Sequence, residues 1–233
     1  MTVESTPDDP ATDAARERMR ALARPFIERG EPTGWFEPLY AAAAGDPDAV
    51  PWGDTTPTPG VVEWCQRAGV QGHGRRALVV GCGLGDDAAY LAELGFRVTG
   101  FDIAPSAIAW CNRRYAGRPI QFETADLFAP PRGWLSAFDF VVEVNTIQAL
   151  PPAVRADAVP RLGHFLAPGS RLLMVARGRD AADPEGELPW PLTRDDLAPL
   201  AASGLVEERF EDYLDREDPP VRRFRATYIR PGE

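Results

Sequence analysis

After Gly72 the chain settles into one repeating pattern, a short apolar run followed by an amphipathic stretch and then another apolar run. The runs are ALVV, RVTGF, IQFET, FDFVVEV and RLLMVA, and helical spacing of apolar residues begins between them near Gly85, Pro105 and Pro152. Strands separated by crossover helices build a parallel sheet with right-handed connections. The end of the chain differs: LVEERFEDYLD and VRRFRATYIR are joined by the turn-rich REDPP, which leaves no room for a helix, so these two strands are expected to pair antiparallel. The expected fold class is α/β, a Rossmann-like, mainly parallel seven-stranded sheet with a C-terminal antiparallel hairpin and an N-terminal helical lid.

Upstream of the repeating pattern, residues 1–10 are polar, acidic and proline-containing, which suits a disordered tail. Ala15, Met19, Leu22, Ala23 and Phe26 then recur at helical spacing, with Gly30 as a stop and Pro25 as a point of kinking or early termination. The next segment is rich in proline, glycine and aromatics, with short helices expected over residues 35–44 and from Pro59 onward. Its Trp35, Tyr40 and Trp52 fit either a lid over a pocket or plain core packing. The division that follows is a tail at 1–10, N-terminal helices and lid at 11–71, and a Rossmann-like core at 72–233.

A chain of 233 residues can bury one large core, and one domain is the default. Its formal charge of -10 repels polyanions, and Arg75, Arg76, Arg113 and Arg114 are too scattered to form a basic face, so no nucleic-acid partner is expected. Cys65, Cys82 and Cys111 are odd in number and widely spaced, which argues against a disulfide framework and against a metal site. The N-terminus has neither a basic start nor an apolar h-region and no long apolar run follows, so the expectation is a reducing, cytoplasmic setting without membrane association. Monomer and dimer both remain open.

The stretch ALVVGCGLGDDAAYLAELGFRVTGFDIAPSAI reads as strand, glycine-rich turn, helix and second strand. In an open parallel sheet, ligands bind beyond the carboxyl ends of the strands, where strand order reverses. Gly81, Cys82, Gly83 and Gly85 would line that crevice, and Asp102 ends the second strand where an acidic residue commonly takes ribose hydroxyls. A dinucleotide-binding fold begins the same way. Here, however, Asp86 and Asp87 follow the last glycine, and their charge would offset the roughly 0.3–1 kcal/mol that a helix start offers a diphosphate. A cationic ligand meets no such opposition. S-adenosylmethionine is one, with ammonium and sulfonium charges, a ribose diol and an adenine. One aspartate is accounted for by the preference of acidic residues for a first helical turn, and Asp87 is expected to face the ligand. Asp126, past the third strand, is placed to accept from the adenine amino group, and Glu143, Asn145 and Gln148 follow at the fourth.

If the ligand is S-adenosylmethionine, the chemistry expected is methyl transfer, an in-line displacement in which the protein mainly aligns the acceptor and excludes water. A thiol acceptor needs only partial deprotonation, whereas a phenol or amine calls for a nearby base. Histidine is not expected to supply one: His73 precedes the first strand, at the wrong end of the sheet, and His164 reads as a capping or surface residue late in a helix. Glu143, Asn145, Gln148, Tyr40 and Arg177 are the acceptor-side candidates, with Arg177 either receiving an anionic acceptor or pairing with Glu143. The segment RDAADPEGELPWP reads as a substrate-side loop in which Trp190 covers an aromatic acceptor. Cys82, with no basic partner in the sequence around it, reads as a small filler beside the cofactor rather than a nucleophile.

The motifs ALVVGCGLGDDAAYLA, VTGFDIAPSAI, TADLF, FDFVVEVNTIQALPP and LAPGSRLLMVARG together resemble class I S-adenosylmethionine-dependent methyltransferases. The GCGxGxDA form, with Val79 two positions before the first glycine, is similar to the thiopurine S-methyltransferase and halide/thiol methyltransferase branch. Trp35, Tyr40, Pro51, Trp52, Pro57 and Pro59 loosely match that branch's upstream segment, so the resemblance spans about residues 35–178. It implies cofactor contacts from Gly81, Gly83, Gly85, Asp102, Ile103, Asp126 and Leu127, with Trp35 and Trp52 as lid contacts. Cys82, Asp87 and Glu143 complete the expected cofactor set. The sequence departs from the branch at Asn145, where an aromatic is frequent, and at Phe36, where an aspartate often follows the first tryptophan. The expected activity is methyl transfer to a small-molecule acceptor, sulfur favoured, with oxygen or nitrogen of a small aromatic metabolite as the alternative. An NAD-dependent oxidoreductase is the reading of another class, disfavoured because the chain contains no lysine and therefore no Tyr-x-x-x-Lys pair. A non-catalytic S-adenosylmethionine-binding protein is the third.

Overall fold

The computed structural model describes residues 10–232. Its centre is a single seven-stranded sheet formed by β1 (Arg76–Val80), β2 (Arg97–Asp102), β3 (Ile120–Thr124), β4 (Phe138–Val144), β5 (Leu166–Arg177), β6 (Val206–Leu214) and β7 (Arg222–Ile229). The spatial order is β3-β2-β1-β4-β5-β7-β6. Strands β3 to β5 run parallel, and β7 inserts antiparallel between β5 and β6. Chain order reverses at β1, which pairs with β2 on one side and β4 on the other, so a crevice opens beyond the Val80 end.

The helices are α1 (Pro10–Glu28), α2 (Phe36–Ala43), α3 (Pro59–Arg67), α4 (Asp86–Glu93), α5 (Pro105–Arg114), α6 (Pro152–His164) and α7 (Pro199–Ala202). Proline at the first turn starts α3, α5, α6 and α7, where its missing N–H leaves no bond unmade. The expected tail lies outside the described residues except for Pro10, which opens α1. Pro25 does not end α1 early. It and Ala21, whose carbonyl loses a partner, are both on the exposed face, where water replaces the bond.

Strand side chains alternate between two cores, as the two-residue period requires. Leu78, Val80, Val141, Met174 and Ala176 pack with Leu162 of α6 and Leu200 of α7 on one face. Val79, Val142 and Val175 pack with Val61, Leu91 and Cys111 of α3, α4 and α5 on the other. Above the strand ends, Met19, Trp35, Leu39 and Leu188 form a further cluster that joins α1 and α2 to the loop after β5. Arg20 reinforces this joint by donating to the Leu188 carbonyl at 2.7 Å and pairing with Glu187 at 2.9 Å. No described helix is long and apolar enough to cross a membrane.

Candidate active site

Beyond β1 the chain makes its glycine turn, with Gly81 at φ +57° and Gly83 at +51°, a region that side-chain-bearing residues rarely adopt. Space is tight as well. A Cβ on Gly81 would run into the Thr146 side chain, whose hydroxyl donates to the Val80 carbonyl at 3.0 Å. A Cβ on Gly83 would lie 3.1 Å from the Tyr40 hydroxyl. The Gly83 N–H donates to the Asp102 carboxylate at 3.1 Å, and the Ala104 N–H donates to its other oxygen at 3.0 Å. Asp102 is buried, and that burial pushes its pKa up to about 6 against the opposing pull of the Ala104, Gly83 and Ile103 N–H groups. A carboxylate offers about four acceptor directions, so these three donors leave capacity for a ligand hydroxyl.

Neither aspartate after the turn faces the crevice, which corrects the expectation for Asp87. Its carboxylate accepts from the Thr58 N–H at 2.8 Å and the Thr58 hydroxyl at 2.9 Å, and so ties the start of α3 to the start of α4. Burial raises its pKa to about 6, with the Thr58 bonds opposing. Asp86 pairs with Arg114 at 2.8 Å and accepts from the Tyr115 hydroxyl at 3.0 Å. Both carboxylates hold helices together rather than selecting a ligand by contact.

The lid also sorts differently from its reading. Trp35 is completely buried, donates to the Pro32 carbonyl at 3.0 Å and stacks on Phe36, so it supports the lid from within instead of touching a ligand. Trp52 is the tryptophan that reaches the glycine turn, and it donates through Nε1 to the Tyr40 hydroxyl at 2.8 Å. Tyr40, an acceptor-side candidate in the sequence, therefore stands over Gly83 and near Asp102. Burial holds its phenol well above the ordinary tyrosine range, so it stays protonated.

Of the residues beyond β2 and β3, Ile103 is half-buried at the rim, and Asp126 accepts from the Phe128 N–H at 2.8 Å with one oxygen. The Leu127 side chain packs into the core, which leaves only its backbone for a ligand. Cys82 is buried, with its thiol raised well above its ordinary range by its hydrogen bond with Cys111 and by desolvation. It is no nucleophile at neutral pH.

At the ends of β4 and β5, Glu143 and Arg177 do not pair. Val142, Val144 and Val175 face the α3–α5 side, so Glu143 points to the opposite face while Arg177 shares the face of Val175. Glu143 lies within β4, not past it; one oxygen accepts from the Ile147 N–H at 3.0 Å, and the other is buried without a partner among the described residues. Desolvation raises its pKa to about 7, opposed by the Ile147 and Thr146 N–H groups. Asn145 adopts a left-handed φ of +58°, bonds the Val175 carbonyl through its N–H at 3.0 Å, and buries an Oδ1 that has no partner among the described residues. Gln148 is structural: it accepts from the Arg177 N–H at 2.7 Å, and its carbonyl takes the Trp190 N–H at 2.9 Å. Trp190 packs against the lid cluster. His73 and His164 are exposed and away from this rim.

Sequence reasoning missed Thr58, Thr146, Glu37 and Arg155, which shape the site. Glu37 of α2 accepts from the Ser106 N–H and hydroxyl at 2.9 and 2.7 Å, and Arg155 binds the Leu150 and Trp190 carbonyls. Thr58 had a local signal, since Thr before Pro-Gly marks a helix start; the others depend on contacts distant in the chain.

A sheet of this order, a glycine cradle with no room for side chains and a buried carboxylate with spare acceptor capacity at the end of β2 fit S-adenosylmethionine. The chain is a class I S-adenosylmethionine-dependent methyltransferase. A Methyltransferase domain model matches residues 77–169. A 2-heptyl-1-hydroxyquinolin-4(1H)-one methyltransferase of Mycobacteroides abscessus is 26% identical, covering 72% of this chain and 74% of that protein. A probable thiol methyltransferase of Arabidopsis thaliana is 31% identical, covering 67% of this chain and 66% of that protein. A TehB-like methyltransferase of Corynebacterium glutamicum shares the fold at a TM-score of 0.58, with 19% identity over 95% of this chain and 100% of that one.

Proposed function

We propose that this enzyme methylates sulfur on a small-molecule acceptor by direct in-line displacement. S-adenosylmethionine, when bound, supplies the electrophilic methyl group. Gly81, Gly83 and Gly85 let backbone line its methionine end, Asp102 holds the ribose diol, and Ile103, Asp126 and Leu127 flank the adenine. Trp52 and Tyr40 close over the turn and exclude water. The acceptor stands on the other side of the strand-order reversal, beside Asn145 and Arg177.

The observation that carries the sulfur assignment is the character of that rim. The residues beside it include an amide and a guanidinium, while Glu143 is turned to the opposite face onto the Ile147 N–H. Such a surface orients an acceptor without removing its proton, which suits a thiol that ionises near neutrality. The thiol methyltransferase relative supports this reading. Oxygen is the second reading, favoured by the hydroxyquinolone methyltransferase relative. The three buried, free cysteines suit a reducing, cytoplasmic setting.

The test is product detection. Purified enzyme with S-adenosylmethionine and separate pools of thiols, phenols, amines and iodide is expected to release S-adenosylhomocysteine with the thiol pool. Release with phenols alone would overturn the sulfur assignment.

A further inference from the structure

We infer that Arg177 is the seat for a carboxylate on the methyl acceptor. The inference rests on the methyltransferase reading of the site and adds a substrate class to it, an acceptor that is anionic as well as nucleophilic.

Arg177 ends β5, two strands from β1 and beyond β4. Its main chain is fully committed: the N–H donates to the Gln148 side chain at 2.7 Å, and the carbonyl accepts from Leu192 at 2.8 Å. Its side chain is not committed. The half-buried guanidinium makes no hydrogen bond or ion pair among the described residues. The other arginines lodged in this structure behave differently. Arg225 binds Glu211, Glu63 and the Gly60 carbonyl, and Arg155 binds two carbonyls and lies 3.6 Å from Asp196. Those are the contacts of an arginine that holds a fold together.

The acidic residues near Arg177 are already engaged. Asp215 and Glu217 both bind Arg223, at 2.7 and 2.5 Å, and Asp215 also accepts from the Glu217 and Val221 N–H groups. Arg177 shares this corner with Arg223, its register partner across the sheet, and with those two carboxylates, neither of which bonds it. Burial, with Arg16 and Arg223 nearby, lowers its pKa to about 10, so it remains charged at neutral pH. A planar fork held this way matches a carboxylate through two parallel N–H bonds.

Asn145 stands at the neighbouring strand end. Its N–H is bonded to Val175, two residues before Arg177, and its buried Oδ1 has no hydrogen-bond partner among the described residues. An acceptor bearing a carboxylate and an S–H, O–H or N–H donor would answer both groups.

The experiment measures binding apart from turnover. Enzyme saturated with S-adenosylhomocysteine is titrated calorimetrically with 2-mercaptobenzoate and with its methyl ester, for the parent, Arg177→Gln and Arg177→Lys. The parent is expected to prefer the carboxylate by about 10- to 100-fold, the size of one charge-assisted hydrogen-bonded pair. Arg177→Gln should lose that preference while keeping its affinity for the ester and for S-adenosylhomocysteine, and Arg177→Lys should keep part of it. A parent without a carboxylate advantage, or an Arg177→Gln variant that retains one, overturns the inference. A parallel turnover assay separates the two readings. Carboxylate preference without methylation of the thiol leaves the anion seat standing and removes the sulfur assignment; methylation without charge preference does the reverse.

Discussion

Glu143 is a buried carboxylate with one oxygen bonded to the Ile147 N–H and the other unpartnered among the described residues. Its pKa of about 7 lies above the unfolded value, so the native state binds its proton more tightly than the unfolded chain does. The stability this gives is present at low pH and is lost as pH rises from the unfolded value through about 7. In chemical denaturation, Glu143→Gln is therefore expected to gain on the parent by about 2–3 kcal/mol between pH 5 and pH 8, and a gap that does not change with pH would contradict this. Asp87 makes the opposite kind of test. Asp87→Ala strands the Thr58 N–H and hydroxyl and is expected to cost about 2–4 kcal/mol of stability while leaving cofactor affinity unchanged. A variant of full stability with weakened cofactor binding would restore Asp87 to the crevice. The misreading has a physical source: the spacing of Asp87 after a glycine turn is visible in the sequence, but its partner lies 29 residues earlier.

At the scale of elements, the strands were the most legible part, because their two-residue alternation and flanking prolines and glycines are local properties. The hairpin of β6 and β7 was legible for the same reason, from two strand-like runs with no helix between them. The lid was legible only as a cluster of aromatics. Which tryptophan is core and which reaches the turn depends on how α1 and α2 dock against Leu188 and Ala149, contacts that span more than a hundred residues. Trp35→Ala is expected to cost about 3–5 kcal/mol and to raise hydrogen exchange first in α1, α2 and the loop after β5. Exchange rising evenly across the sheet would show instead that the lid is not a separable unit.

At the scale of the molecule, the sheet sets where each half of the proposed reaction would take place. Reversal of strand order at β1 puts the glycine turn and Asp102 on one side and the ends of β4 and β5 on the other. The donor half was legible as a motif, since glycines and a strand-ending aspartate recur at set offsets. The acceptor half was legible as a list of polar residues but not as a geometry. Glu143 and Arg177 look like a pair until the alternation of β4 and β5 sets them on opposite faces.

The central claim is that Asp102 anchors the donor, and titration of S-adenosylmethionine into the parent, Asp102→Asn and Asp102→Ala tests it most directly. Since Asp102 ionises at about 6, parent affinity is expected to hold above that pH and to weaken below it as the carboxylate is protonated. Asp102→Ala, folded as judged by circular dichroism, is expected to bind at least about tenfold more weakly at pH 8, with little remaining pH dependence across that window. Binding by Asp102→Ala as tight as the parent's, with the same fall below pH 6, would contradict the placement of the cofactor on this rim.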